Sequence, residues 1–221
     1  LTENVNVSFN VDSRSEGISA ETNFVGDPSY IEGREFNPED PNSFTSSTST
    51  TIYDSLGESH VMTTYYVKRN AGEGGQNPPA AQVPSDGNSY WDIYATVDGN
   101  GVDVEQLNDA GFVIPGSQAE PTAAFGGGGP YNGIRVAFGS DGSPSNASAS
   151  FDPTLGTFGD ATIKVGSTYT NGASANQSVD INFNSPEGDL TPTQYASDFE
   201  VNFLEQDGST VGRLIAGYSR S

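Results

Sequence analysis

Cysteine is absent from this chain of 221 residues, and histidine, methionine and tryptophan each occur once. Without thiols there is no disulfide, no thiolate metal site and no cysteine nucleophile, so the fold must rest on packing and backbone hydrogen bonds. Basic residues are nearly as scarce: 8 Lys and Arg stand against 29 Asp and Glu, a formal net charge of −21. Such a chain repels phosphate backbones and anionic lipid, and counterion release works against it, which excludes nucleic acid and membrane surfaces as partners. No apolar run approaches the roughly 20 residues of a bilayer span. The opening Leu1-Thr2-Glu3-Asn4 has neither an initiator Met nor a basic-then-apolar signal, and reads as a processed or excised piece of a longer chain.

What is plentiful points one way. The 27 Gly and 13 Pro, with abundant Ser, Thr and Asn, argue against a helical protein, and the length suits one elaborated all-β domain spanning 1–221. Val5, Val7, Phe9 and Val11 alternate with polar residues, which predicts a half-buried strand. Residues 12–43 hold many Gly and Pro without a period and predict a long surface connection. Two β-branched and aromatic runs, 49–53 and 61–67, flank the polar turn 54–60 and predict a hairpin. A Gly- and Pro-rich tract at 70–88 predicts a mobile loop, and Tyr90–Val97 a further strand ended by Asp98-Gly99. Later strand candidates are 134–138, 161–165, 179–183, 199–203 and 210–214. The expected fold is all-β, an antiparallel sandwich or flattened barrel with long loops. The weakly patterned 99–130 region leaves room for a second small β lobe, an insert within 100–178.

No residue pattern assembles a reactive centre, so catalytic, cofactor-binding and metal residues are all expected to be none. His60 is the one imidazole, but it follows a hairpin turn and no Ser sits in a nucleophile elbow. Asp98-Gly99-Asn100-Gly101-Val102-Asp103 superficially resembles a calcium loop, yet Val102 stands where the fifth position needs an oxygen and Asp103 where the sixth needs Gly. Gly126–Gly129 lacks the Lys-Ser/Thr and the helix of a phosphate loop. With 29 acids, any single carboxylate pair is uninformative for glycosidase chemistry.

Three stretches carry a resemblance. Phe36-Asn37-Pro38-Glu39-Asp40-Pro41-Asn42-Ser43-Phe44 leads into Tyr53-Asp54-Ser55-Leu56-Gly57-Glu58-Ser59-His60 and then Tyr65-Tyr66-Val67-Lys68. Trp91-Asp92-Ile93-Tyr94-Ala95-Thr96-Val97-Asp98-Gly99 follows, and Thr193-Gln194-Tyr195-Ala196-Ser197-Asp198-Phe199 with Gln206-Asp207-Gly208 closes the set. In this order they resemble bacterial flagellar hook proteins. Residues 70–89 and 100–178 depart from that pattern, and the family's tube-forming terminal helices have no counterpart, so the resemblance is to the outer β-domain region.

The resemblance implies a structural subunit fragment of the hook, the curved tube that transmits motor torque to the filament as a universal joint. Its partners would be copies of itself in a helical tube and other flagellar axial proteins at the hook ends, outside the cell. By itself the acidic piece is expected to be monomeric. The alternatives are a flagellar rod or hook-associated subunit, or a secreted carbohydrate-binding or hydrolytic β-domain.

Overall fold

In the computed structural model the described residues are 1–22, 25–75, 82–126, 128–165, 168–183 and 191–207. They form β1 (Asn4–Asn10), β2 (Ser46–Tyr53), β3 (Ser59–Arg69), β4 (Ser89–Val97), β5 (Asn100–Val102) and β6 (Val104–Glu105). Then follow β7 (Ile134–Phe138), β8 (Phe151–Asp152), β9 (Thr157–Phe158), β10 (Ala161–Lys164), β11 (Ser178–Asn182) and β12 (Glu200–Gln206). The candidate strand 210–214 lies outside the described residues.

The strands lie where side-chain alternation puts them, and their turns have local causes. Asp54 accepts backbone N–H bonds from Leu56 and Glu58, and Gly57 closes the turn at φ +86°, a left-handed conformation that suits glycine. That turn sets the register of β2 on β3, from Tyr53 opposite Ser59 to Ser46 opposite Tyr66, longer than the predicted hairpin. Asp98 and Gly99 both take positive φ, as a two-residue Asp-Gly hairpin requires, and join β4 to β5.

Two five-stranded sheets face each other. One has the order β12-β1-β11-β10-β6; the other runs β2-β3-β4-β5, with β7 also paired to β4. They are not closed into a barrel, so of the two expected forms the sandwich is the one found. The pairing is antiparallel except for β1 on β11, which is parallel. Between the sheets lies one core that includes Val7, Phe9, Ile52, Met62, Trp91, Phe138, Ile163, Ile181 and Val201. Strands from the 100–178 interval, β5 to β7 and β10, take places in both main sheets.

The outer face of the β2–β3–β4 sheet carries a third layer. Phe36, from the 12–43 connection, is fully buried and stacks on Tyr94 with ring centroids 4.6 Å apart. Phe44 and Ile18 pack beside it, against Val67 and Tyr65. This connection is therefore a cover on the sheet, which alternation could not reveal because the covering segment has no period of its own. The 70–88 tract is anchored at its base: Gly72 N donates to Val83 O, Val83 N donates to Glu73 O, and Val83 is buried with Tyr90 and Ala137. Residues 76–81 of that tract lie outside the described residues.

Candidate functional site

Two polar clusters tie separate elements together. The first lies under the cover layer, where β3, β4 and β7 each place one charged residue on the outer face. Arg69 Nε donates to Asp92 Oδ2 at 2.9 Å, and Arg135 donates to the same carboxylate from Nε at 2.8 Å and from Nη2 at 3.1 Å. All three residues are at most 4% exposed. Burial alone would push the Asp92 carboxyl up, but the Arg135 and Arg69 guanidiniums outweigh it and hold it below the usual carboxylate range.

The cluster reaches beyond the sheet. Arg69 Nη1 donates to the carbonyls of Arg34 (3.1 Å) and Ser19 (3.4 Å), both on the 12–43 connection. Tyr94 Oη donates to Glu120 O at 2.7 Å, and Ser148 and Ser150 donate through their hydroxyls to Arg135 O. A buried charge system thus straps three loop segments onto the sheet.

The second cluster sits at the hairpin tip. His60 Nδ1 lies 2.6 Å from Asp98 Oδ2, and Nε2 lies 3.3 Å from Asp54 Oδ2. Tyr169 packs on the imidazole at a centroid distance of 4.2 Å with the rings tilted by 33°, and Asn171 Nδ2 donates to both Asp54 and Glu58. Asp98 also accepts from Val61 N. One ring therefore joins the β2–β3 turn, the β4–β5 turn and the 168–171 segment.

Ionised carboxylates only accept, so both contacts are favourable only when both ring nitrogens carry protons. Partial burial pulls the His60 pKa down, but Asp98 and Asp54 outweigh it and raise it above 6.5. A raised folded-state pKa gives stability that is complete below the unfolded value and lost as pH rises through the folded one. His60→Gln should therefore destabilise the domain by about 0.5–1 kcal/mol near pH 6, the range of a partly exposed ion pair. The difference from wild type should shrink as pH is raised from 6 through the folded-state value, where the imidazole loses its proton. Thermal melts of both proteins across that range check it, and a gap independent of pH would contradict the clasp.

The residues weighed in the sequence are placed as follows. His60 is in the clasp, flanked by Asp54 and Asp98. Asp98 spends its oxygens on His60 and Val61, while Asp103 accepts from Asn132 N, so the two acids of the calcium-like stretch serve different neighbours. Phe125 and Gly128 pair across the glycine tip. Among the described residues no three His, Cys, Asp or Glu side chains converge as a metal set would.

Arg69, Asp92 and Arg135 were missed. Their signal was present: Asp92 lies between Trp91 and Ile93, and Arg135 between Ile134 and Val136, charged residues inside apolar strands. Such residues are seldom fully buried unless paired, and pairing opposite charges across predicted neighbouring strands would have found them.

Sandwich, cover layer and clasps define a structural β-domain, one whose polar clusters bind its own elements to one another. Residues 10–209 match the family model described as the flagellar basal body protein FlaE D2 domain, and the chain belongs to that family. At the family level this is a structural domain of the flagellar hook, part of the flagellum outside the cell membrane, in subunits that polymerise into the hook tube. No curated protein matches the chain.

Proposed function

We propose that this chain is the outer domain of a hook subunit, a rigid non-catalytic body that keeps its shape while its contacts with neighbouring copies shift as the tube bends. The family match over residues 10–209 carries this reading. The strapped loops support it, since a domain whose long connections are bonded to its sheets moves as one unit.

Copies would associate head to tail in a contact that does not close, giving a helix, with other axial proteins at the hook ends. Contacts that slide must be polar, wet and individually weak, because a large apolar interface would lock one curvature. The charge of −21 fits that, and it keeps the isolated chain monomeric and soluble in the extracellular medium.

Excising residues 10–209 from the subunit should change hook curvature or bending stiffness, read by electron microscopy of the hooks and by swimming behaviour. Unchanged hooks would remove the domain from the mechanism. Sedimentation of the isolated chain at micromolar concentration in moderate salt should show a monomer, and a stable oligomer there would count against the weak-contact reading.

A further inference from the structure

The free edge of β2 has an unusual chemistry. Tyr53 N donates to Thr2 Oγ1 at 3.0 Å and Tyr53 O accepts from Thr2 N at 2.8 Å, so the Tyr53 backbone points away from β3. Asp54 N, one residue on, donates inward to Glu58 O. In an antiparallel ladder these orientations alternate, and the register runs without a break from Ser46 to Tyr53. Ser47, Ser49 and Thr51 therefore turn their N–H and C=O groups outward, as Tyr53 does. Thr2 fills the last place; among the described residues no backbone partner meets the other three.

Among the described residues the remaining edges are covered, bulged or short. Along β7, Arg135 N donates to Ser117 O and Ser145 N donates to Ala137 O. The ladder of β12 is broken by a register shift opposite Asn6 and Val7, and β5 and β6 have only three and two residues. Proteins usually guard an exposed edge with Lys, Pro, a bulge or brevity. β2 has none of these, and from Pro41 to Tyr53 no residue is charged.

We propose that β2 is an acceptor edge for an extended segment of a second copy of this chain, added as a further strand to the β2–β3–β4 sheet when subunits assemble. The choice of partner rests on the hook reading, and charge favours it. Two copies at −21 repel across most of their surfaces, whereas the Pro41–Tyr53 tract meets a neighbour without opposing like charge. Ser47 to Thr51 spans about 13 Å, room for a strand of about five residues. A polar Ser/Thr edge specifies register weakly, so the added strand can shift along it, as a bending joint needs.

Hydrogen exchange of the peptide 44–53 tests this, comparing the isolated chain with purified hooks. Three more amides, those of Ser47, Ser49 and Thr51, should be protected in hooks. Ser49→Pro removes an outward N–H, no ladder bond and only the exposed hydroxyl contact of Ser49 with Thr63, so it should leave the isolated chain folded while shortening or abolishing hooks. Equal exchange of 44–53 in both forms overturns the proposal, as do normal hooks built from folded Ser49→Pro subunits. Failure of the hook reading itself looks different: cells lacking the gene would still build hooks.

Discussion

Asp92→Ala should destabilise the domain by about 3–5 kcal/mol, because it leaves two guanidiniums buried without their counterion. Arg69 and Arg135 both donate to this one carboxylate, and neither can reach solvent without lifting the layer above it. Against a total stability of about 5–15 kcal/mol for a typical domain, that is enough to unfold much of the population on mild heating. The bonds from Arg69 to the Arg34 and Ser19 carbonyls should loosen at the same time, so amide protection around residues 18–34 should fall. Urea denaturation and hydrogen exchange read the two effects. Replacing all three charged residues with apolar ones of similar size should restore most of the lost stability, since a buried ion cluster is often no better than a packed apolar one. A loss below about 1 kcal/mol in Asp92→Ala would show that the charges are not sealed from water.

Phe9→Ala should have a comparable effect, about 3–5 kcal/mol. Phe9 is 2% exposed at the centre of the core, with ring centroids 5.0 Å from Tyr66, 6.3 Å from Phe138 and 6.0 Å from Phe183. Those rings come from β3, from β7 and from the residue following β11, so the cavity would loosen the contact between both sheets at once. Val7, Ile52 and Val201 are also at most 3% exposed, and their truncation to Ala should cost less, about 1–4 kcal/mol, because each removes fewer atoms. A neutral result at Phe9 in chemical denaturation would contradict its central place.

The clasp at His60 and the strap at Asp92 were legible to different degrees. The turn Asp54–His60 and the Asp98-Gly99 corner stood out as turns, because Asp and Gly at those positions answer local backbone needs. That the two turns meet on one imidazole could not be read, since residues 60 and 98 come together only after β3 and β4 pair. The cover by Phe36 was hidden for a related reason: an aromatic in an aperiodic segment buries itself wherever the chain returns, and no spacing records where that is.

The all-β class, every described strand of four or more residues, and which residues of β1 face inward were legible in the sequence. All of these follow from local rules, a period of two along each strand and turn chemistry between strands. Tertiary structure alone decided that β1 lies between β12 and β11 and runs parallel to β11, that β7 joins β4, and that the 12–43 connection folds over the outer sheet face. The physical reason is that ladder hydrogen bonds are made by the backbone, which is nearly the same at every residue, so they carry little information about which strand pairs with which. Partner choice emerges only when the whole chain finds the arrangement that buries Phe9 and Trp91, pairs Asp92 with both arginines, and leaves the uncharged edge of β2 at the surface.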